Sequence, residues 1–260
     1  MKTSLIIATY NWPKALELVL LSLIGQSTLA DEIIIADDGS TNETKLLIDK
    51  YQQKIKIQHI WQKDNGFQKT SILNKAVALA KGDYIIQIDG DIVLHKHFIK
   101  DHVKTAKKKT FIHGSRVFLN KELTEKAIKK LSFNFSFFNN GLTNRFNGIH
   151  SIFLAKIFSR KNNSLKGTRG CNFSFWKKDF ISVNGYNEDM KGWGKEDTEL
   201  SVRLINIGLQ KHKIKCLAVC YHLYHPILSK EGLNINNTIL ADTISENKIS
   251  CKNGLNKYVN

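Results

Sequence analysis

The chain has 260 residues and a mass of 29.6 kDa, enough for one large domain or two small ones with a buried core. Hydrophobic residues make up 42% and charged residues 24%, which excludes collagen, a low-complexity linker and a wholly disordered chain. The formal net charge of +16 favours an anionic partner such as a nucleotide, a nucleic acid or an acidic lipid.

The four cysteines and the N-terminus bear on the cellular compartment. No two cysteines have C-x-x-C spacing, so a zinc ribbon or a thioredoxin motif is not expected. The apolar run near the N-terminus is too short for a signal peptide, and no run of about 18 apolar residues predicts a transmembrane helix. We therefore expect a reduced, cytoplasmic protein.

The first half of the chain alternates short apolar runs with helical patterns. The runs predict strands over residues 4–9, 32–36, 55–60 and 84–88. The spacing of apolar residues predicts helices over 13–25, 42–51 and 67–81. This alternation indicates an α/β fold with a mostly parallel central sheet flanked by helices. Ligands of such sheets bind at the carboxyl ends of the strands, so a site is expected there.

The second half is less regular and begins with a basic segment. Residues 104–169 hold 15 Lys and Arg against two Glu, so +13 of the total charge lies there, together with the aromatic run FNFSFF. Further on, a strand is predicted in CNFSFW, a helix over 198–207 and a strand over 214–221.

Changes in composition divide the chain into four parts. Residues 1–103 form the regular α/β half, and residues 104–169 are predicted to be a basic, aromatic-rich helical insertion. Residues 170–228 carry two further polar motifs, and residues 229–260 form a polar, partly helical tail with a weakly amphipathic stretch near 239–249.

Two acidic motifs follow predicted strands. Asp89 and Asp91 are two residues apart, so their carboxylates face one site, as suits a hard cation that bridges to a phosphate. Asp37 and Asp38 end another strand, where a carboxylate can accept a hydrogen bond from a base N–H or a ribose hydroxyl. Asp and Gly are also common in turns and Ser40 suits a helix N-cap, so ordinary turns are the alternative.

Two further motifs lie late in the chain. The loop GWGKED places Trp193 beside Glu196 and Asp197, a combination that suits the face and the hydroxyls of a sugar. Acids in a first helical turn also complement the helix dipole, which is the alternative without a ligand. His222 and His225 are three residues apart, so both could reach a metal, whereas a lone His is more often structural.

Taken together, the motifs resemble those of a known family. The order TYN, DDGST, DGD, GWGKED and HLYH is similar to that of glycosyltransferases of the GT-A fold. Residues 1–99 resemble family 2, and residues 170–226 resemble the galactosyltransferase-type C-terminal region. The resemblance does not extend to the basic segment, and it implies a nucleotide-diphospho-sugar transferase fold.

The resemblance also implies site residues. Donor binding falls to Thr9, Tyr10, Asn11, Asp37, Asp38, Lys69 and Asp89. Within this set Asp38 holds the base with Asp37 beside it, Asp89 contacts the ribose and Lys69 approaches the phosphates. The implied ligands of Mn²⁺ or Mg²⁺ are Asp91, His225 and His222.

At the acceptor, the resemblance implies that Asp197 is the catalytic base and that Glu196 and Trp193 face the sugar. Lys195 departs from the family pattern, which usually has Gly there. The extra cation beside the acceptor site leaves the identity of the acceptor open.

The sequence is therefore interpreted as an inverting, metal-dependent glycosyltransferase that moves a hexose or N-acetylhexosamine from a nucleotide sugar, UDP-linked, to a glycan acceptor. The expected setting is the synthesis of a bacterial surface polysaccharide or lipopolysaccharide. One alternative is a sugar-1-phosphate nucleotidyltransferase, which should have a Gly-rich loop where this chain has TYNWPK. Another is a nucleic-acid-binding protein, but no recognisable motif accompanies the charge, so nucleic acid is not an expected partner.

The basic segment allows two interpretations. Ile149, Phe153 and Ile157 recur at helical spacing, so residues 148–160 could form a basic amphipathic helix. Such a helix would dock on an anionic membrane surface, peripherally on the inner face of the cytoplasmic membrane, and would suit a lipid-linked glycan acceptor. Alternatively, the aromatic residues pack on the catalytic core and form part of the acceptor wall.

Overall fold

Strands and helices alternate along the first 89 residues, as the sequence predicts. The structure, a computed structural model, describes residues 1–226 and 232–259. The elements of this first part are β1 (Thr3–Thr9), α1 (Pro13–Ile24), β2 (Glu32–Asp37), α2 (Asn42–Gln52), β3 (Ile57–Trp61), α3 (Lys69–Leu79) and β4 (Tyr84–Asp89). All seven predicted elements are confirmed, each within two residues at either end.

The second part mixes shorter elements. Up to the end of the basic segment these are β5 (Ile92–Leu94), α4 (Phe98–Thr105), β6 (Thr110–His113), β7 (Val117–Leu119), α5 (Lys121–Lys130), β8 (Leu142–Thr143), α6 (Ile152–Phe158) and β9 (Arg160–Asn162). The remaining ones are β10 (Asn172–Trp176), α7 (Lys177–Ser182), α8 (Glu196–Asn206), β11 (Gln210–Lys213), β12 (Cys220–His222) and α9 (Leu233–Ser245). Short 3₁₀ turns lie at Arg145–Gly148 and Leu255–Lys257.

Two of the predicted boundaries in this part need correction. The single strand predicted over 214–221 is wrong, because the chain forms β11 before it and β12 at its end. Between them Cys216 and Ala218 have positive φ angles of 57° and 47°, which interrupt an extended strand. The amphipathic helix predicted over 148–160 is limited to the seven residues of α6.

The main sheet has eight strands in the order β3-β2-β1-β4-β10-β6-β11-β9. The strands β3, β2, β1 and β4 are parallel, and β10 runs antiparallel between β4 and β6. In the register of the parallel strands Thr9 lies opposite Asp37, Asp37 opposite Trp61, and Ala8 opposite Asp89. The carboxyl ends that carry the polar motifs therefore meet at one edge of the sheet.

Helices cover both faces of this sheet, which explains why its strands are continuously apolar. Successive residues of β1 point to opposite faces, so Ile7 packs with Leu16 of α1 while Ile6 packs with Leu73 of α3. All four side chains are fully buried, and each such burial contributes about 1.5–3 kcal/mol. The predicted α/β fold with a mostly parallel sheet flanked by helices is confirmed.

A second sheet, in the order β5-β12-β7-β8, packs against the opposite side of α1 through Ala15 and Leu18. The segment 104–169 contributes β7 and β8 to this sheet and β6 and β9 to the main one. It therefore contains strands as well as α5 and α6, while the predicted four-part division of the chain stays a prediction.

The C-terminal tail packs on α8 and α3. Helix α9 lies against α8, where the Thr243 hydroxyl donates a hydrogen bond to Glu199 (3.2 Å), and Leu255 is buried beside α3. Over residues 1–226 and 232–259, no helix combines the length and the hydropathy that a membrane span requires.

Candidate active site

The carboxyl ends of β1, β2 and β3 form the first wall of the site. Asp38 is nearly buried, and it accepts hydrogen bonds from Gln62 Nε2 (2.6 Å) and from the backbone N–H of Gln68 (2.8 Å). Burial outweighs these bonds and raises the pKa of Asp38 to about 6. This carboxylate is thus ionised at neutral pH and keeps free lone pairs for a further donor.

The residues that follow β1 differ in exposure. Thr9 is buried, whereas Tyr10 is 51% exposed and donates its hydroxyl to Asp64 (2.9 Å). Asn11 has a positive φ of 44°, and its Oδ1 accepts a hydrogen bond from the N–H of Thr41 (2.8 Å). Asn11 therefore ties the loop after β1 to the loop after β2, and the ring of Tyr10 is left open toward a ligand.

Asp37, the last residue of β2, is held inside the protein. Asp37 is only 1% exposed; its Oδ1 accepts the N–H of Ser40 (2.8 Å), and its Oδ2 lies 2.9 Å from His59 Nε2. Both oxygens are bound inside the protein, so Asp37 stabilises the turn between β2 and α2, and its predicted place beside the base-binding Asp38 stays a prediction.

Lys69, the first residue of α3, lies between Asp89 and the two carboxylates that begin α8. Its Nζ donates to Asp89 Oδ1 at 2.5 Å, and both side chains are largely buried. Burial acts to lower the pKa of Lys69, but the carboxylates of Asp89, Asp197 and Glu196 outweigh it and raise that pKa. Lys69 is therefore a permanent cation between the two acidic motifs.

Asp91, His222 and His225 meet at the junction of the two sheets. Ile92 pairs with His222 in the β5–β12 register, and the N–H of Leu223 donates to the carbonyl of Asp91 (3.1 Å). Asp91 Oδ2 lies 3.6 Å from His222 Nε2 and 3.3 Å from His225 Nε2. One ligand atom from each residue falls within 4.8 Å of the others, so the three residues could hold one metal ion.

The chemistry of this triad fits a divalent cation. Asp91 Oδ1 is buried and has no hydrogen-bond partner among the described residues, which leaves it available to a metal. Burial and the neighbouring Asp89 raise the pKa of Asp91 to about 7, and a bound cation would keep the carboxylate ionised. Burial and the nearby Arg116 lower the pKa of His222 to about 4, so its imidazole is neutral at pH 7 and able to bind metal.

The acceptor motif lies on a loop held in an unusual backbone conformation. Gly194 and Lys195 have φ angles of 107° and 78°, and Trp193 beside them is 40% exposed. Asn236 of α9 donates from Nδ2 to the carbonyls of Lys191 (3.1 Å) and Gly194 (2.9 Å). The tail thus fixes this loop and leaves the indole ring open to solvent.

Glu196 and Asp197 begin α8 directly after this loop. Asp197 Oδ2 accepts the N–H of Gly170 (2.6 Å), and its Oδ1 accepts the hydroxyl of Tyr186 (3.0 Å). Burial raises the pKa of Asp197, and burial together with Asp197 raises the pKa of Glu196 to about 7. Carboxylates with a raised pKa are suited to accept a proton near neutral pH.

The three groups of polar residues lie close enough together for their charges to act on one another. Asp89 and Lys69 both act on the pKa of Asp91, and Lys69 also opposes the raised pKa of Glu196 and Asp197. The structure therefore brings together motifs that are spread over the chain from β1 to β12.

Four residues near these groups were not predicted as site residues. Trp61 is 54% exposed at the end of β3, and its place at the carboxyl end of a predicted parallel strand is the signal that indicates it. Arg116 stacks on Phe118 at 4.5 Å and donates to Cys171 Sγ (3.1 Å), while Gln87 and Tyr186 hydrogen-bond to each other (2.9 Å) beside Asp197. No local pattern indicates these last three, because long-range packing places them.

Comparison with known proteins agrees with this geometry. Residues 4–176 match Glycosyl transferase family 2, and residues 153–226 match the N-terminal domain of galactosyltransferase. The chain is 28% identical to a hyaluronan synthase of Pasteurella multocida over 221 residues (79% of this chain, 23% of that protein). It is 25% identical to a chondroitin synthase of Escherichia coli over 267 residues (93% and 38%). It therefore spans less than half the length of either relative.

Solved structures share the fold. The S. aureus TarS 1–349 complex with UDP-GlcNAc is similar with a TM-score of 0.65 and 17% identity, over 93% of this chain and 66% of that one. GalNAc-T7 with UDP, GalNAc and Mn²⁺ is similar with a TM-score of 0.65 and 13% identity, over 86% and 44%. The predicted GT-A fold and the predicted assignment as a glycosyltransferase are confirmed. Because the family match covers well over half of its residues, the chain belongs to glycosyl transferase family 2.

Proposed function

We propose that this glycosyltransferase is inverting and metal-dependent, and that it moves a hexose or an N-acetylhexosamine from a UDP-linked donor to a hydroxyl of a glycan acceptor. The observation that carries the proposal is the position of Lys69 between Asp89 and the carboxylates of Glu196 and Asp197. One cleft thus offers cations for a diphosphate and carboxylates for a hydroxyl. The structural neighbours that hold UDP-GlcNAc or UDP and GalNAc support this donor class.

The nucleotide would bind along the ends of the parallel strands. Asp38 keeps lone pairs to accept a base N–H, and the exposed rings of Tyr10 and Trp61 offer surfaces for stacking. Asp89, at the end of β4, would accept a ribose hydroxyl in exchange for part of its contact with Lys69. The released Lys69 ammonium, together with Arg116, would then face the diphosphate.

The triad of Asp91, His222 and His225 would hold the divalent ion. Two imidazoles beside one carboxylate favour Mn²⁺ over Mg²⁺, because Mg²⁺ prefers oxygen ligands. When bound, such an ion would neutralise charge on the departing diphosphate. GalNAc-T7, which shares the fold, was solved with Mn²⁺.

Asp197 would act as the general base. Gly170 and Tyr186 hold its carboxylate, and burial makes it more basic than an exposed Asp. It would take the proton of the acceptor hydroxyl, whose oxygen attacks the anomeric carbon from the face opposite the diphosphate and so inverts the configuration. Glu196 would position the sugar, and Trp193 would stack on its face.

The same proposal extends to the setting of the enzyme. We place it in the synthesis of a bacterial surface polysaccharide or lipopolysaccharide, acting on a lipid-linked glycan at the inner face of the cytoplasmic membrane. The charge of residues 104–169 and the exposed apolar side chains of α6 support a peripheral contact with an anionic membrane.

Two variants test the chemistry. Asp91→Ala should abolish transfer, measured as UDP released from UDP-sugars in the presence of glycan acceptors. Asp197→Asn should lower turnover by roughly 10²–10⁴-fold without changing donor affinity, the usual contribution of a general base. Asp49→Asn, on the surface of α2, should leave activity unchanged and is the matched control.

Two results would contradict these assignments. If Asp91→Ala remains active in excess chelator, the metal assignment is wrong. If Asp197→Asn weakens donor binding but spares turnover, this residue belongs to the nucleotide site.

A further inference from the structure

A basic cleft lies at the opposite end of β5 from the metal triad. Ile92 at the start of β5 pairs with His222, whereas Leu94 at its end pairs with Cys220 and leads into α4. The cleft has a volume of about 480 Å³ and lies between α4, α6 and the end of β11. The glycosyl transfer proposed above makes no use of it.

The free charge of this cleft is positive. Four lysines line it: Lys100, Lys104, Lys107 and Lys156. Asp101 also lines it but is only 5% exposed, and its Oδ2 already accepts the N–H of Ala218 (2.9 Å) and lies 3.0 Å from His150 Nε2. The carboxylate of Asp101 is thus held within the protein, and one acid against four lysines leaves the lining of the cleft positively charged.

Helix α6 separates this cleft from an apolar surface. Ile152, Ala155 and Lys156 face the cleft at helical spacing. Phe153 and Ile157, one turn apart, are 71% and 53% exposed. Large apolar side chains are rarely left open in this way unless they meet a partner.

The two interpretations of the aromatic segment therefore apply to different residues. Phe133 and Phe135 pack against the apolar cluster of the second sheet, as the packing interpretation expects. The apolar side chains of α6 remain exposed beside the lysines, as the docking interpretation expects. The combination of a cationic cleft and a neighbouring apolar ridge matches the boundary between lipid headgroups and acyl chains.

We propose that this cleft binds the phosphate headgroup of an anionic phospholipid while Phe153 and Ile157 enter the adjacent acyl layer. The inference rests on the peripheral membrane contact in the proposed function and assigns that contact to a defined site. Charge complementarity to the lysines requires an anionic ligand. The two exposed apolar side chains favour a lipid over a water-soluble phosphate, because the soluble phosphate would leave them in water.

Co-sedimentation with vesicles tests the site. The full chain should bind phosphatidylcholine vesicles that contain phosphatidylglycerol, should not bind phosphatidylcholine alone, and should dissociate at high salt. Lys100→Gln/Lys104→Gln/Lys156→Gln should weaken binding about 100-fold, at about fivefold for each lysine near an anionic surface. Phe153→Ser/Ile157→Ser should weaken it at least about tenfold.

A matched control removes the same charge elsewhere. The lysines 126, 129 and 130 of α5 are exposed and lie outside the cleft, so replacing all three by Gln should weaken vesicle binding less than about fivefold. Every variant should retain wild-type hydrolysis of UDP-sugars in solution, which shows that the fold and the transfer site are intact.

Other outcomes would overturn the inference. No binding to either vesicle would remove both this site and the proposed membrane contact, while transfer to a water-soluble acceptor would still stand. If the α5 variant and the cleft variant lose vesicle binding to the same extent, the membrane contact would stand but the headgroup site would be refuted. Glycerol phosphate that protects the free protein against thermal unfolding, without vesicle binding, would show a soluble phosphate ligand. Tighter binding to random-sequence RNA than to vesicles would show a nucleic-acid surface.

Discussion

Gly170→Ala would test whether the position of the Asp197 carboxylate sets the rate of transfer. A Cβ at residue 170 would lie 2.4 Å from Asp197 Oδ1 and 2.8 Å from its Cγ, whereas ordinary van der Waals contact begins at 3.4 Å. The carboxylate must therefore move by about 1 Å, a displacement that costs about 10²-fold in rate at a reacting group. The φ angle of Gly170 lies outside the left-handed region, so alanine adds no backbone strain.

The assay compares turnover with donor affinity. Turnover should fall about 10²-fold while the dissociation constant for UDP stays unchanged, because Gly170 contacts the proposed base Asp197 and lies outside the loops after β1 and β2. Gly25→Ala is the control, since its Cβ would meet Phe133 Cε2 at 3.5 Å, an ordinary contact. Turnover within about twofold of the wild type, in a variant that unfolds at the same temperature, would refute the reasoning.

Two further predictions concern the acceptor loop and the donor pocket. Asn236→Ala leaves the carbonyls of Lys191 and Gly194 without their side-chain donor, so kcat/KM for the acceptor should fall about tenfold or more while UDP affinity is unchanged. An unaltered kcat/KM for the acceptor would contradict this. Asp38 must be ionised to accept a base N–H, and its pKa is about 6, so UDP affinity should fall toward tenfold per pH unit below pH 6. Calorimetric titrations of the wild type and of Asp38→Asn test this, because the variant should lose that pH dependence.

The elements of the first 89 residues can be predicted from the sequence because the signals that define them lie within short segments of the chain. Each apolar run of the first 89 residues is bounded by turn residues, and the polar motif after each run comes at the strand's carboxyl end. Parallel pairing then brings Thr9, Asp37 and Asp89 to the same edge without further specification. Hydrophobic periodicity and one rule about strand ends are therefore enough to locate this wall of the site.

The rest depends on contacts between distant parts of the chain. Asp37 and Asp38 are adjacent and chemically identical, and only the structure shows that they have different partners, His59 for one and Gln62 for the other. Periodicity likewise predicts a helix near Phe153 but does not show which of its faces is left uncovered. Local sequence patterns also do not predict that β10 pairs with both β4 and β6.

The antiparallel placement of β10 has a consequence for the order in which the enzyme matures. During synthesis the N-terminal strands can assemble first, but Ile88 and Tyr84 of β4 gain their partners Asn172 and Trp176 only after some 80 further residues have been made. Until then β4 presents an apolar, unpaired edge, the kind of edge that recruits other strands and aggregates. Nascent chains that stall before β10 should therefore depend on chaperones, and Asp197 on α8 joins a sheet whose parallel strands are already formed.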